Sequence, residues 1–397
     1  MNALVTNAEN LITLSIIRSL GEKGIEVTGT SEDPHALCFS SKYCKKKFVY
    51  PSVRKDKKDF LSALERTVQK NKYDVLFPMW IDELIAVSEN RERFCKYTRV
   101  PLPPHESLLT AYDKAQTLRF AMENGIPCPK TYFPENLADA EKIKKDLTYP
   151  AVIKPTKAFG AKGLYYVTDE EELIKRYKKS SSEYGTLIIQ ECIPLDGTIY
   201  GVEALFNRDA KPRAVFVHKR IRQYPITGGQ STMRESVSYP ELEKIALKLL
   251  EKLKWYGVAM VEFKLDPRDN KPKLMEINPR FWGSIPLSIA AGVDFPHLLY
   301  RMETEGEIKP VNGYKTGVKS RMLVPGDIRF LKSALRDDFS HLGLKKQPKT
   351  KVVLDFMRFW EKDLHYDLFS LDDPKPALVE ISNIMLRKAN SLFLRAR

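Results

Sequence analysis

Residues 257–283 read GVAMVEFKLDPRDNKPKLMEINPRFWG and hold the densest set of groups suited to chemistry. Two runs that alternate apolar and polar residues, joined at Pro267-Arg268-Asp269-Asn270, predict adjacent strands that bring Glu262 and Glu276 together across a hairpin. Asn278 lies two residues beyond Glu276 and so shares its face. Two carboxylates and an amide oxygen are hard ligands, the set that suits magnesium shared with phosphate groups. Arg280, next but one on the same face, is suited to a phosphoryl group on which charge builds up during transfer. A lone Glu on a strand is ordinarily a solvated or paired carboxylate. The alternation Glu-x-Asn-x-Arg opposite a second Glu is what sets this segment apart.

Three further segments add groups of the same kind. In PAVIKPTKAFGAKGLYYV (150–167) a strand delivers Lys154, and the turn that follows carries Gly160, Lys162 and Gly163. Glycine there lets backbone N–H groups approach phosphates closely, and a lysine reaches a phosphate as a point charge. This is not the G-x-x-x-x-G-K-[ST] pattern, so a P-loop is disfavoured. In LIIQECIP (187–194) an apolar strand ends at Gln190-Glu191-Cys192-Ile193, a shape that fits either a buried strand and turn or a hinge offering backbone groups to an adenine edge. In HKRIRQYPITGGQSTMRE (218–235), His218, Arg220 and Arg222 alternate along one strand, and Gly228-Gly229 make a close-approach turn before Ser231 and Thr232. Arginine grips a carboxylate with two parallel hydrogen bonds, so Arg220 and Arg222 are expected to orient an anionic substrate, with Gly228, Gly229 and Ser231 lining its loop. The alternative is a basic edge strand whose arginines pair locally. No catalytic role is assigned to His218.

These groups need a scaffold. Residues 3–6, the helical spacing that follows Asn10, and residues 25–30 predict a βαβ unit; residues 57–69 predict a helix and 73–78 a buried strand. Strands alternating with helices imply an open α/β sheet over roughly residues 1–100. Its first turn lacks G-x-G-x-x-G, which gives a dinucleotide site there little support. Prolines 101, 103 and 104 mark a boundary. A single helical stretch is expected over 106–124, then strand, turn, strand, helix, strand over 149–193, a hairpin from 199–206 and 212–219, and a helix over 241–254. Residues 344–352 read as a basic loop, and the last twenty residues as a basic amphipathic helix.

Taken in order, Lys114, Lys154 with its glycine hairpin, Gln190-Glu191-Cys192-Ile193, Glu262, Glu276-Ile277-Asn278 and Arg280 resemble the ATP-grasp superfamily. The likeness is greatest to its carbamoyl-phosphate synthetase-like, carboxylate–amine ligase branch, and it spans roughly residues 1–300. The resemblance implies an α/β and α+β chain: a Rossmann-like pre-ATP-grasp domain (1–105), a small lobe (106–190), a large lobe with the metal site (191–305) and a C-terminal extension (306–397). It implies ATP and magnesium (or manganese) as cofactors. Lys114, Lys154, Gly160, Lys162 and Gly163 would then lie on phosphates, and Glu191, Cys192 and Ile193 at the adenine hinge. Glu262, Glu276 and Asn278 would hold the metal, and Arg280 would serve catalysis. The family's usual ribose-binding acid is replaced by Thr198-Ile199-Tyr200, so Glu203, further along the strand, is the expected substitute. The implied reaction activates a carboxylate as an acyl phosphate for attack by an amine. A kinase-like phosphotransferase and a non-catalytic nucleotide-binding regulator are the alternatives.

Composition bounds the rest. The 397 residues carry 65 Lys+Arg against 51 Asp+Glu, a net charge of +14, with 43% hydrophobic residues. That balance describes a globular chain rather than a disordered one. No apolar run reaches the ~18 residues of a spanning helix, and the N-terminus lacks the basic-then-apolar order of a leader, so a cytoplasmic protein is expected. Five scattered cysteines without a C-x-x-C pair, and no H-x-H or H-E-x-x-H among the six histidines, argue against a disulfide scaffold or structural zinc. The positive charge alone, with runs such as Lys45-Lys46-Lys47, does not make a nucleic-acid motif. The expected partners are a small-molecule carboxylate and amine, with a symmetric homodimer as the default assembly. A C-terminal segment resting on an anionic membrane is the less favoured alternative to one packed on protein.

Overall fold

The computed structural model describes residues 1–158, 160–344 and 347–395, the side chains of 341 and 388–395 excepted. Three sheets organise it. The first contains β1 (Asn2–Val5), β2 (Glu26–Ser31), β3 (Cys44–Val49) and β4 (Val75–Phe77), all parallel, in the order β3-β2-β1-β4. Helix Leu11–Glu22 starts where the Asn10 side chain accepts a hydrogen bond from the Ile12 N–H at 3.0 Å. The unpredicted strand β3 carries Lys45, Lys46 and Lys47 exposed at the sheet edge, where charge discourages pairing with another chain.

The stretch expected as one helix over 106–124 is two, His105–Tyr112 and Lys114–Glu123. Asp113 between them is extended (φ −89°, ψ 112°), and its carboxylate accepts from the N–H of Ala115 at 2.9 Å. An aspartate that caps a new helix cannot continue the old one. The break places Lys114 at the head of the second helix, where its N–H donates to the Thr156 carbonyl at 2.9 Å.

The second sheet is antiparallel, in the order β5-β8-β6-β7, from β5 (Thr131–Tyr132), β6 (Ala151–Pro155), β7 (Tyr165–Val167) and β8 (Leu187–Glu191). Helix Glu170–Tyr184 covers it, burying Leu173 and Tyr177 against Ile153 and Ile189.

The third sheet has seven strands: β9 (Ile199–Phe206), β10 (Pro212–Tyr224), β11 (Gln230–Ser236), β12 (Gly257–Asp266), β13 (Lys271–Asn278), β14 (Lys319–Arg321) and β15 (Leu364–Tyr366), ordered β13-β12-β9-β10-β11-β14-β15. Helix Pro240–Lys252 packs Leu242, Ala246, Leu249 and Leu250 on one face of it. Residues 306–397 therefore extend this sheet by two strands rather than standing apart from it. They also return to the first sheet's helix layer, where the Asp373 carboxylate accepts from Arg18 Nε at 3.0 Å and Ser41 Oγ at 2.7 Å.

The basic stretch expected as a loop over 344–352 is in part the start of helix Lys349–Phe356, and residues 345–346 lie outside the described residues. Helix Lys375–Arg395 occupies the expected C-terminal position, but the side chains from 388 on, and with them half of the expected amphipathic segment, lie outside the described residues. Among the described residues no helix is long and apolar enough to cross a membrane.

Candidate functional site

A cavity of about 450 Å³ opens between the three sheets. Its floor is one face of the third sheet. Glu262 on β12 stands directly opposite Glu276 on β13, and Met260 opposite Asn278. The same cross-strand row continues from Glu262 to Gly201 on β9 and His218 on β10. Period-two alternation brings these residues to one surface from four strands, Gly201 contributing no side chain.

Each carboxylate has its own cation. Lys114 Nζ lies 3.1 Å from Glu276 Oε2, and Arg220 Nη2 donates to Glu262 Oε2. The Asn278 amide donates to Glu276 Oε1 at 3.3 Å. Burial pushes the Glu262 carboxyl up despite Arg220, and the facing Glu276 adds repulsion. Burial acts on Glu276 too, but the charge and hydrogen bond of Lys114 outweigh it and hold that carboxyl down.

Two buried lysines line the cavity from different sheets, Lys154 from β6 opposite the floor and Lys264 from β12 in the floor itself. Lys154 on β6 is almost fully buried and donates to Gln190 Oε1 at 2.6 Å; Gln190 in turn donates to Thr131 Oγ1 at 2.8 Å. Burial lowers the Lys154 ammonium to about 8, with the nearby Lys114 charge acting the same way. Lys264 is lowered to about 8, again by burial first, and donates to the Ile193 carbonyl at 3.0 Å. Lys264 was not singled out in the sequence, although its place two residues after Glu262 puts it on the same face.

The hinge and the glycine turn reach the cavity only in part. Glu191 and Ile193 line it, while Cys192 between them turns inward and is buried. Glu191 is fixed by the Lys130 N–H at 2.8 Å and by Arg268 Nη2 at 3.1 Å. Gly160 and Lys162 line the cavity. Gly163 does not: its φ is +72° and an added Cβ would lie 2.6 Å from Pro155 Cγ, so packing against Pro155 explains that glycine.

Of the residues expected from sequence to face a substrate, Arg220, Gly228, Gly229 and Ser231 line the cavity, together with His218. Arg222 does not. The register of β10 against β11 shifts between Arg220 and Arg222, breaking the alternation that would have kept them on one face. Arg222 instead donates to Asp327 Oδ2 at 2.6 Å and to the Asp355 carbonyl at 2.5 Å.

Glu203, expected at a ribose, is also corrected. It is fully buried on the same face of the sheet, two residues beyond Gly201 and outside the cavity lining, where its Oε1 accepts from Ser284 Oγ at 2.7 Å and lies 3.0 Å from His218 Nδ1. The imidazole fits because position 201 is glycine: an added Cβ would sit 2.3 Å from His218 Cε1.

Arg280 lines the cavity, donates to the Phe281 carbonyl at 2.7 Å and stacks its guanidinium over the Trp80 ring at 5.3 Å. Trp80 belongs to the first sheet's domain, and Glu9 and Asn10 join it in the lining; Met322, Asp367 and Glu380 come from beyond residue 305. No motif marks these residues. Among the described residues no cluster of three or more His, Cys, Asp or Glu could hold a metal, so the acidic centre is the Glu262–Glu276 pair with the Asn278 amide.

Residues 113–305 match the family model described as the carbamoyl-phosphate synthase L chain, ATP binding domain. The chain has the ATP-grasp fold. Among curated relatives, the carbamoyl phosphate synthase large chain of Thermoanaerobacter sp. (strain X514) is 24% identical over 293 residues, covering 69% of this chain and 26% of that protein. The counterpart from Pyrococcus furiosus is 25% identical, covering 51% and 20%. The chain thus spans about a quarter or less of the length of these relatives. Among solved ATP-grasp structures, the Campylobacter jejuni biotin carboxylase crystallised with β,γ-ATP superposes with a TM-score of 0.68 at 18% identity, covering 80% of this chain and 74% of that one. The L-amino acid ligase from Bacillus licheniformis gives a TM-score of 0.59 at 19% identity, covering 78% and 77%.

Proposed function

We propose that this chain is an ATP- and magnesium-dependent carboxylate–amine ligase that releases ADP. The observation that carries this reading is the facing pair Glu262 and Glu276, set in one cavity with Lys114, Lys154 and Arg280. Two carboxylates and an amide, each carboxylate already drawing a cation to itself, are the donor set a hard divalent ion requires. Glu262, Glu276 and Asn278 would hold magnesium, which when bound supplies charge neutralisation for the phosphates and fixes their orientation.

The remaining residues follow from their places. Lys114, Lys154, Gly160 and Lys162 are assigned to phosphates, and Glu191 and Ile193 to the base. Arg220, Gly228, Gly229 and Ser231 are assigned to the acid substrate. Residues 1–105 are read as the pre-ATP-grasp domain, 106–190 as the small lobe and 191–305 as the large lobe. Residues 306–397, which supply Asp367 and Glu380, complete the acceptor end of the cavity. Phosphoryl transfer asks a protein for positioning and charge rather than covalent chemistry, which suits a cavity lined by fixed cations. A carboxylate oxygen attacks the γ-phosphorus, the bond to ADP breaks, and an acyl phosphate forms. The amine then attacks the acyl carbon, inorganic phosphate leaves, and the amine gives up a proton. His218, oriented by Glu203 and kept neutral by burial, is the cavity-lining group assigned to receive it.

The test is ADP release from Mg²⁺-ATP with pooled amino acids and small carboxylates, each with and without pooled amines. Turnover that requires both an acid and an amine supports a ligase. Turnover with one acceptor alone contradicts it in favour of a phosphotransferase.

A further inference from the structure

Helix Lys349–Phe356 and the residues after it read KTKVVLDFMRFWEK, and most of their apolar side chains take no part in any core of the fold. Within the helix only Val352 is buried. Leu354 is 67% exposed, Met357 56% and Trp360 91%, and Val353 is exposed beside them. Residues 353, 354 and 357 are one helical turn apart and share a face.

That face is held outward by the way the opposite side is pinned. Arg222 donates to the Asp355 carbonyl, and Arg321 to the carbonyls of Phe356 at 2.8 Å and Arg358 at 3.2 Å. The Arg321 guanidinium also lies over the rings of Phe356 at 4.7 Å and Phe359 at 5.0 Å. Both arginines are anchored on the buried Asp327 carboxylate. The last carbonyls of the helix thus find donors inside the protein, and the apolar surface is presented by a fixed element.

Charge surrounds this surface. Lys349, Lys351 and Lys362 are exposed and form no salt bridge among the described residues, and Arg358 is 3.6 Å from Asp355. The nearby acid Glu361 is already paired with Lys319 at 2.5 Å. The cores of protein interfaces are depleted in lysine, whereas lipid headgroups accept tryptophan and lysine side by side. The lysine stems lie along apolar surface while the ammonium groups reach phosphate.

We propose that the helical face of Val353, Leu354 and Met357, together with the exposed Trp360 that follows the helix, docks on an anionic lipid surface, with Lys349, Lys351 and Lys362 on the lipid phosphates. This is independent of the ligase reading and holds whatever the cavity binds.

The test uses the full chain with sedimenting vesicles, either phosphatidylglycerol mixed with phosphatidylcholine or phosphatidylcholine alone. The protein is expected to pellet with the anionic vesicles only. Its tryptophan emission should move to shorter wavelength, a shift absent from Trp360→Phe. The double variant Leu354→Ser/Trp360→Ser should lower the bound fraction by about tenfold while leaving the unfolding temperature in place, since both side chains are exposed. The proposal is overturned if the wild-type chain stays in solution with anionic vesicles, or binds neutral vesicles equally. Full binding by the double variant would also overturn it. So would a dimer that the double variant abolishes in a chain that never binds vesicles, because a second copy would then be the occupant.

Discussion

Glu262 and Glu276 are direct register partners on neighbouring antiparallel strands, and each is paired with a cation from a different part of the chain, Arg220 and Lys114. Two like charges held side by side are costly without such partners, so the arrangement is one that a divalent ion would complete. Replacing either acid by glutamine keeps its shape and removes its charge. Glu262→Gln is expected to cut ADP release by roughly 10²–10³-fold with little change in unfolding temperature, as read by steady-state kinetics and calorimetry.

Lys154 provides a pH signature. Its ammonium is lowered to about 8 by burial, so its charge is present below pH 8 and fades above it. Nucleotide phosphates favour the charged form, so ATP affinity should fall above pH 8 by up to about tenfold per unit. The same lowering makes the unfolded chain the stronger proton binder between about pH 8 and 10, so this group's contribution to stability rises with pH there, the opposite trend. Titration calorimetry from pH 7 to 9.5 reads the affinity trend and chemical denaturation over the same range the stability trend, and Lys154→Met should remove most of the former.

Arg222 and Arg220 are two residues apart and do different work. Arg222 shares the fully buried Asp327 with Arg321 and Thr232. Asp327→Asn strips the charge that two buried arginines depend on and should cost about 3–5 kcal/mol in chemical denaturation. Arg222→Met should lower stability and leave the substrate KM nearly unchanged, whereas Arg220→Met should raise that KM.

Gly201 is required by His218. A methyl group at 201 would enter the imidazole, so Gly201→Ala should cost about 1–3 kcal/mol of stability. It should also lower kcat more than it raises KM for ATP, because the histidine is displaced while the lysines that face the phosphates stay in place.

Much of this site was legible in the sequence because it is local. Alternation along one hairpin brings Glu276 and Asn278 to one face near Glu262, and a one-residue shift in register between Phe263 and Glu262 sets Glu262 directly opposite Glu276. The failures come from contacts that alternation cannot report. A shift in register turned Arg222 away, and its acid partner lies 105 residues downstream. Glu203 was set aside from the cavity by a histidine on the neighbouring strand that fills the space above a glycine. Asp113 reads as one more residue of a helical run until its carboxylate is seen capping the next helix. The contribution of residues beyond 305 was not legible at all, because β14 and β15 are three residues each and too short for a periodic signal.

The central claim is that Glu276 helps hold the metal on which nucleotide binding depends. The direct measurement is calorimetric titration of ATP into the wild-type chain and Glu276→Gln, each with magnesium and with excess chelator. The account predicts that wild-type affinity falls by at least about tenfold when magnesium is removed, and that Glu276→Gln binds weakly with or without it. Equal affinity in all four titrations, from folded protein, would contradict it.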